Sequence, residues 1–250
     1  RLLMIDVGQG DSMLIQSGGS NVLIDTGGKV SKYVTNSITK NTLLPLLKAN
    51  GIRKLDYLIL SHGDYDHMGE AINLVSNFKV ETVIFNCGSY NDLEKKLIKF
   101  LNKKKIVYYS CIQELMVSKY KLQFLNTREY DNENDNSNVI YLNYNNYKFL
   151  FMGDAGVEKE KDILEKYNLN NTYFLKVGHH GSNTSSSEKF INIINPKYSL
   201  ISVGKNNRYG HPKESVLDVL SNSKIYRTDL DGSIEIRLNK SGYKIRTCPP

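Results

Sequence analysis

Short apolar blocks, separated by polar or glycine-rich turns, make up most of this chain. Apolar runs of roughly four to eight residues are typical of strands, and apolar residues spaced three or four apart indicate helices. The pattern predicts strands over residues 2–7, 12–16, 21–25, 55–60, 80–85, 106–109, 139–144, 148–152, 173–177 and 198–203, and a final strand group from residue 225 onward. It predicts helices over residues 42–50, 71–78, 92–102, 159–167, 187–194 and 214–221.

These elements follow a similar order in two halves of the chain. A polar segment rich in Asn and Asp, residues 126–138, lies between the halves and is predicted to be an exposed loop. Neither half can bury its apolar face alone, so two sheets should pack face to face with helices outside them. The sequence therefore predicts an α/β fold, an αββα sandwich, with residues 1–250 forming one domain.

Composition narrows the class of protein. The chain has 250 residues, 40% of them apolar and 24% charged, with a net charge of +7, and these values exclude disordered, collagen-like and coiled-coil proteins. The basic balance is compatible with a polyanionic partner, although a lysine block such as residues 103–105 is typical of a solvated surface. No apolar run approaches the roughly 18 residues that span a bilayer, so a water-soluble segment is expected. Because residue 1 is Arg and a predicted strand follows at once, we expect the chain to be excised from a longer protein.

Three cysteines, Cys87, Cys111 and Cys248, are scattered along the chain without a C-x-x-C pair. An odd number at such spacing indicates neither a disulfide framework nor a thiolate zinc site. We therefore expect the cysteines to be reduced and structural.

Four of the five histidines fall in two tight groups. The first group belongs to the segment HGDYDH, which contains His62, Asp64, Asp66 and His67 and follows the predicted strand at 55–60. A loop at a strand end can wrap its side chains around one point, which a straight strand cannot do because its side chains alternate between faces. A charged turn that caps a helix would explain one aspartate but neither histidine. The segment therefore predicts a metal site.

Two further predicted strands end in residues that can bind metals. The strand at 148–152 leads to Asp154, and the strand at 173–177 leads to His179 and His180. Three strand ends with ligand-type side chains predict a site on one rim of a layered fold.

Taken together, these motifs resemble a known family. The metal-binding motifs of the metallo-β-lactamase superfamily are similar to HxDxDH at residues 62–67, to Asp154, to His180-Gly181 and to LIDTGG at residues 23–28. Within that superfamily, five further segments of this chain resemble the hydrolase domain of DNA-uptake competence proteins of the ComEC type. They are DVGQGDS at 6–12, Asn136-Ser137, GHHGS at 178–182, NNRYGHP at 206–212 and YRTD at 226–229. The resemblance implies an αββα sandwich of the metallo-β-lactamase type.

The resemblance also implies two divalent metal ions. One ion would have His62, Asp64 and a bridging Asp154 as ligands. The other would have the same Asp154 together with Asp66, His67 and His180, or His179 if the paired histidines exchange roles. The strand-end Asp25 would support the metal loop.

This chain departs from the family pattern at two places. Asp64 stands where superfamily members commonly have His, and Asn136 and Ser137 stand where a further His is common. The first ion would thus have an oxygen-rich environment, which favours harder cations, so Mn²⁺ is expected as well as Zn²⁺.

Two cations roughly 3.5–4 Å apart activate a bridging water and stabilise both the attacking and the leaving oxygens of a phosphate ester. Asp66, His179 and His211 are predicted to be catalytic, with His211 either contacting substrate or donating a proton. Residues 182–184 are expected to cap the next helix and to present backbone N–H groups to a phosphate. The predicted substrate-binding residues are Asn136, Ser137, Ser182, Lys205 and Asn206.

The leading hypothesis is a metal-dependent phosphodiesterase, a DNA nuclease domain that degrades the strand not taken up. Its partners would be DNA, single-stranded or duplex, and the membrane-channel portion of the same longer chain, with the domain on the extracytoplasmic face of the cell membrane. One alternative is a free-standing hydrolase of small phosphodiesters such as phosphorylcholine esters. Another is a non-catalytic module that binds metal and nucleic acid.

Overall fold

The computed structural model describes residues 1–28 and 37–249, which contain fifteen strands and eight α-helices. The strands are β1 (Leu2–Met4), β2 (Met13–Ser17), β3 (Ser20–Ile24), β4 (Leu55–Ile59), β5 (Val80–Phe85), β6 (Val107–Ser110), β7 (Glu114–Val117), β8 (Tyr120–Phe124), β9 (Ile140–Tyr144), β10 (Tyr147–Phe151), β11 (Phe174–Lys176), β12 (Tyr198–Ile201), β13 (Lys224–Arg227), β14 (Ser233–Asn239) and β15 (Gly242–Cys248). The helices are α1 (Leu44–Ala49), α2 (Tyr65–Met68), α3 (Ala71–Asn77), α4 (Asp92–Lys104), α5 (Val157–Lys166), α6 (Glu188–Ile194), α7 (Glu214–Val219) and α8 (Thr228–Asp231). A π-helical turn (Thr39–Leu43) precedes α1, and 3₁₀ turns lie at Glu133–Asn136 and Gly178–Gly181.

The strands form two sheets. The first sheet has the order β15-β14-β1-β2-β3-β4-β5-β6, and the second has the order β13-β12-β11-β10-β9-β8-β7. Strands β3 to β6 pair in parallel in the first sheet, and strands β10 to β13 pair in parallel in the second. The remaining neighbours are antiparallel.

Three apolar layers hold the sheets and helices together. Met13 and Ile15 point between the two sheets, whereas Leu14 on the same strand points to the helices on the outer face. On the second sheet, Phe149 points between the two sheets and Leu150 points to the helices on the outer face. Because both faces of each central strand are covered, these strands are rich in apolar residues instead of alternating regularly with polar ones. The predicted αββα sandwich is confirmed.

Two features of the sheets differ from the sequence prediction. The hairpin of β7 and β8 was not predicted, although its buried and exposed residues alternate along β8 as they do in a half-buried strand. The final strand group was assigned to the second half of the chain, but only β13 lies in the second sheet. Strand β14 returns to the first sheet and pairs with β1, with Leu3 opposite Glu235.

The prediction of reduced cysteines is wrong for two of the three. Cys87 and Cys111 form a disulfide, and Cys248 is free and exposed. Strands β5 and β6 pair in parallel with Phe85 opposite Ser110, so the residues that follow the two strands lie side by side. Sequence spacing does not show which strands are neighbours, and therefore it did not show this pair.

The helices formed by residues 1–28 and 37–249 have at most 13 residues. None of the helices there is both long enough and apolar enough to cross a bilayer.

Candidate metal centre

The predicted ligands lie where strands of both sheets end. His62 follows β4 of the first sheet, and Asp66 and His67 lie on the single-turn helix α2 just beyond it. Asp154 follows β10, and His180 follows β11 in the second sheet. The carboxyl ends of parallel strands are a common location of functional sites in α/β proteins. The fold therefore assembles this site from both sheets of the sandwich.

Four side chains form one compact group, which we call the Asp154 cluster: Asp66, His67, Asp154 and His180. One ligand atom of each residue lies within 4.8 Å of those of the others. His67 Nε2 is 3.1 Å from Asp154 Oδ1, and His180 Nε2 is 3.2 Å from Asp66 Oδ2. His180 Nε2 is also 3.6 Å from Asp154 Oδ2. Two imidazole nitrogens and two carboxylates thus converge on one point.

The second nitrogen of each imidazole is held by the protein. His67 Nδ1 lies 2.9 Å from Asp25 Oδ2, and the carboxylate of Asp25 accepts hydrogen bonds from Ser61 N and Ser61 Oγ at 2.7 and 2.6 Å. His180 Nδ1 donates to the carbonyl of Ser202 at 2.8 Å. Such contacts fix the orientation of a metal-binding imidazole and raise its basicity. They direct both Nε2 atoms into the Asp154 cluster.

The chemistry of the Asp154 cluster fits a divalent cation. His67 Nε2 and Asp154 Oδ1 are buried, and the residues that the structure describes offer neither atom a hydrogen-bond partner of acceptable geometry. Burial opposes ionisation of Asp154, but the charges of His67 and His180 hold its pKa well below the usual value. Burial also opposes ionisation of Asp66, yet a hydrogen bond from His180 lowers the pKa of Asp66 to about 2. The donor set is therefore two carboxylates and two imidazoles, which both zinc and manganese accept.

His62 and Asp64 lie at the edge of the Asp154 cluster. The ring of His62 is 4.2 Å from that of His67, and its Nε2 is 3.6 Å from Oδ2 of the half-exposed Asp64. His62 Nδ1 faces Ser137 Oγ at 3.4 Å. Within residues 1–28 and 37–249, His62, Asp64 and Asp154 do not gather within 4.8 Å as the four cluster residues do. Four of the six predicted ligands thus lie together, and a first ion on His62 and Asp64 stays a prediction.

His179 and His180 lie on a strained turn. Their φ angles are 47° and 53°, in the left-handed region that non-glycine residues rarely adopt. The backbone N–H of His179 donates to the carbonyl of Gly153 at 3.1 Å, which holds the turn in place. This conformation points His180 into the cluster and leaves His179 at its mouth, with Nδ1 2.9 Å from Thr184 Oγ1 and Nε2 3.8 Å from Asp154 Oδ2.

His211 lies beside His179 at the mouth of the site. Its ring is 5.9 Å from that of His179 and stacks on Tyr209 at 5.6 Å, and the Tyr209 ring is covered by Arg208 at 4.9 Å. Burial, together with the charges of His180 and His179, lowers the pKa of His211 to about 4. His211 is therefore uncharged at neutral pH, which favours substrate contact over proton donation by an imidazolium.

Two of the predicted substrate-binding residues have buried structural contacts. The side-chain amide of Asn136 accepts from Tyr130 N at 2.9 Å and donates to Tyr130 O at 2.8 Å. Ser137 Oγ accepts from the backbone N–H of Asp154 at 3.1 Å. Ser137 thus positions the backbone of Asp154, a predicted ligand, and Asn136 holds the loop that precedes Ser137.

The other three predicted substrate-binding residues follow β11 and β12. Ser182 is buried, whereas Lys205 and Asn206 are exposed on the loop that leads to His211. The prediction that residues 182–184 cap the next helix is wrong, because these residues form a turn of their own. Ser187 caps α6 instead, with its Oγ accepting from Phe190 N.

Sequence reasoning missed two residues below the Asp154 cluster. Lys176 on β11 is fully buried and makes an ion pair with the equally buried Asp11. Its Nζ also donates to the carbonyl of Gly153 at 2.8 Å and lies 3.9 Å from Asp154 Oδ1. A lysine inside an otherwise apolar strand is the sequence signal that could have identified it, because lysine is almost never buried unless it is paired.

Asp11 reaches this position through a close backbone contact. Its N–H donates to the carbonyl of Asp66 at 3.0 Å, and a Cβ on the preceding Gly10 would lie 2.3 Å from that oxygen. Asp11, Asp25 and His67 form a second group that satisfies the same 4.8 Å criterion. Because the ammonium of Lys176 already neutralises Asp11, this second group is a charge-balanced support and not a further cation site.

Comparisons with known proteins identify related chains. A family model described as the metallo-β-lactamase superfamily matches residues 5–205. ComE operon protein 3 of Bacillus subtilis (strain 168) is 34% identical over 264 residues, covering 99% of this chain and 34% of that protein. Competence protein ComA of Neisseria gonorrhoeae is 32% identical over 249 residues, covering 96% of this chain and 32% of that protein. This chain thus spans about a third of the length of these relatives.

A solved structure shares the fold at low sequence identity. The metallo-β-lactamase fold protein YhfI from Bacillus subtilis superposes with a TM-score of 0.58 and 13% identity, covering 90% of this chain and 95% of that one. The similarity extends over both sheets of the sandwich.

Proposed function

This chain belongs to the metallo-β-lactamase superfamily, and we propose that it is a metal-dependent phosphodiesterase that cleaves DNA. The observation that carries the proposal is the Asp154 cluster, in which two imidazoles and two anionic carboxylates converge at a rim shared by both sheets. Divalent cations bound in such a cluster lower the pKa of a water molecule and stabilise charge on phosphate oxygens.

The residues of this chain prepare the cluster for that chemistry. Asp66, His67, Asp154 and His180 would hold one cation, and His62 and Asp64 would contribute to a second. Asp25 and the carbonyl of Ser202 keep the Nε2 atoms of His67 and His180 directed inward. We assign His179 and His211 to the phosphate oxygens of the substrate, because both lie at the mouth and burial lowers the pKa of each, leaving them as neutral hydrogen-bond donors.

The surface at the mouth supports a polynucleotide substrate. Tyr209 is 47% exposed, and its ring is next to the guanidinium of Arg208 and the ring of His211 on the loop that also carries Lys205 and Asn206. An exposed ring beside cationic groups suits stacking on a base and contact with a phosphate. The net charge of +7 is favourable for the same class of substrate.

The names of the relatives suggest a cellular process in which this activity would take part. ComE operon protein 3 and ComA are about three times as long as this chain, and ComA is named as a competence protein. We propose that this chain is the hydrolase domain of a DNA-uptake protein, that the membrane channel lies in another part of the same protein, and that the domain degrades the non-transported strand on the extracytoplasmic face.

A salt titration tests the substrate. We expect binding of duplex DNA to weaken with a slope near −0.9 per contacted phosphate in log affinity against log salt, or near −0.7 for single strands, because phosphate contacts release counterions. Hydrolysis of bis-p-nitrophenyl phosphate should be almost independent of salt. Cleavage of the small ester with every DNA substrate left intact would contradict the nuclease assignment and favour the small-phosphodiester alternative.

Lysine variants provide the control for this titration. Lys205→Gln should reduce the salt slope by about one contact. Lys240→Gln removes the same charge from the turn between β14 and β15, and should leave the slope unchanged. Strand β14 runs antiparallel to β1, so this turn lies at the end of the sheet opposite the loop that carries Asp11.

A metal exchange tests the choice of cation. We expect Mn²⁺ to support DNA cleavage by metal-stripped protein at least as well as Zn²⁺, because Asp64 and Asn136 replace nitrogen ligands that are common in the family. Activity is measured after reconstitution with each ion at equal occupancy. Activity with Zn²⁺ and none with Mn²⁺ would refute the expectation.

A further inference from the structure

Lys159 lies on the first turn of α5, and its side chain is buried. The residue is 3% exposed. Among the residues that the structure describes, none accepts a hydrogen bond from its Nζ or forms an ion pair with it, and its closest aromatic neighbour is the ring of Tyr130 at 5.1 Å. Burial lowers the pKa of Lys159 to about 8, so a large fraction remains charged at neutral pH.

The nearby acids already have other partners. Asp135 accepts from Gly156 N at 2.7 Å and from Asn132 at 3.3 Å. Asp162 accepts from Arg128 and from the hydroxyl of Tyr130, both at 2.7 Å. A cation near the amino end of a helix is also opposed by the helix dipole. Asp135 and Asp162 therefore act on Lys159 only through space, and no carboxylate of the described residues forms a direct ion pair with its ammonium group.

Lys159 faces a cavity of about 250 Å³ that is separate from the Asp154 cluster. No residue of the cluster lines this cavity, and the disulfide forms part of its wall. Arg128 also lines the wall, where its guanidinium pairs with Glu158 and Asp162 and lies 4.4 Å from the centre of the Tyr130 ring. Glu129 also lines the cavity, but its carboxylate accepts from Ser89 N and Ser89 Oγ at 3.1 and 3.2 Å.

We propose that this cavity binds a phosphate-type oxyanion, with the Lys159 ammonium as its counter-charge and the side chains of Asn126 and Thr127 on its wall. A buried charge is stable only when it is paired or hydrogen-bonded, and an oxyanion provides several acceptors in a small volume. The anion is either free inorganic phosphate or a phosphate of a nucleic-acid backbone. The site stands independently of the proposed nuclease activity, since it shares no residue with the Asp154 cluster.

Thermal unfolding with added inorganic phosphate tests the site. At a phosphate concentration roughly ten times its Kd, we expect the Tm of the intact metal-loaded chain to rise by about 3–5 °C. Lys159→Met should abolish the part of the rise due to this cavity. It should not lower the Tm in phosphate-free buffer, because it removes an unpaired buried charge. Lys161→Met removes the same charge from an exposed position of α5 and should keep the full response.

A further variant separates the cavity from the metal centre. Asp154→Asn removes a metal ligand and should keep the response of the cavity to phosphate. If the response is lost in Asp154→Asn and kept in Lys159→Met, phosphate binds at the Asp154 cluster and the proposal is wrong.

Labelling of the wild-type chain decides the question even if a variant fails to fold. Limited acylation with acetic anhydride, mapped by mass spectrometry, should modify Lys159 several-fold less when phosphate is present, with Lys161 as the unaffected reference. Protection by phosphate alone identifies a free anion, and protection by oligothymidylate without terminal phosphates identifies a backbone phosphate. Lys159 labelling that is the same with phosphate, with oligothymidylate and with neither refutes the site.

Discussion

Asp154→Asn should reduce phosphodiesterase activity by at least about 10²–10³-fold, the loss found when one electrostatic contact to a transition state is removed. The two oxygens of Asp154 face different imidazoles, with Oδ1 3.1 Å from His67 Nε2 and Oδ2 3.6 Å from His180 Nε2. The amide in Asn keeps the volume but loses the negative charge that a divalent cation requires. Bound metal measured by elemental analysis, together with initial rates on DNA and on a small phosphodiester, tests this expectation.

Asn136→Ala is the matched comparison. Among the described residues, the amide of Asn136 makes hydrogen bonds only with the backbone of Tyr130, so its loss should loosen that loop and leave the metal content unchanged. If the two variants lose metal and activity equally, Asp154 does not have the role assigned to it. A smaller effect of Asp154→Asn than of Asn136→Ala would contradict the assignment still more strongly.

Lys176→Met should lower the free energy of unfolding by about 3–5 kcal/mol, the usual consequence of removing one partner of a buried ion pair. Asp11 is 1% exposed, and its carboxylate would be left buried without its ammonium partner. Asp154 would also lose a cation that lies 3.9 Å from its Oδ1. Urea unfolding of wild type and variant in chelator, followed by circular dichroism, measures the difference.

The double variant Asp11→Leu/Lys176→Met distinguishes an unpaired charge from a simple packing defect. When both charges are replaced by apolar groups of similar volume, much of the lost stability should return, because no charge is left buried alone. If the double variant loses as much unfolding free energy as the two single variants together, Asp11 and Lys176 are not energetically coupled. A single Lys176→Met variant as stable as wild type would show that Asp11 does not depend on this lysine.

The sequence could predict those parts of the site whose ligand-type residues lie close together in the chain or directly after an apolar strand. HGDYDH places four potential ligands in six residues, and the residues after two apolar strands marked Asp154 and His180. The pair of Asp11 and Lys176 could not be found in this way, since each residue is unremarkable until β11 and the loop after β1 meet. The disulfide was missed for the same reason, because only the neighbouring positions of β5 and β6 bring Cys87 and Cys111 together.

Strand pairing between distant parts of the chain also limited what the sequence could predict about the sheets. The sequence predicted most strands and helices, but it assigned the last hairpin to the wrong sheet. The pairing of β14 with β1 joins segments from the two ends of the chain, and local pattern contains no information about such a contact. The hairpin of β7 and β8 is different, since its alternation was present in the sequence and was overlooked.

The Asp154 cluster draws its side chains from both halves of the sandwich, with Asp66 and His67 beyond β4 and with Asp154 and His180 beyond β10 and β11. A cation that needs ligands from both sheets cannot stay bound if the sheets separate, and so its binding free energy opposes their separation. Metal occupancy and fold stability are then thermodynamically linked, and the apparent stability rises with the logarithm of free cation concentration once the site is filled. With a cation bound, the cluster would connect the two sheets reversibly, and the strength of that connection would depend on the metal supply.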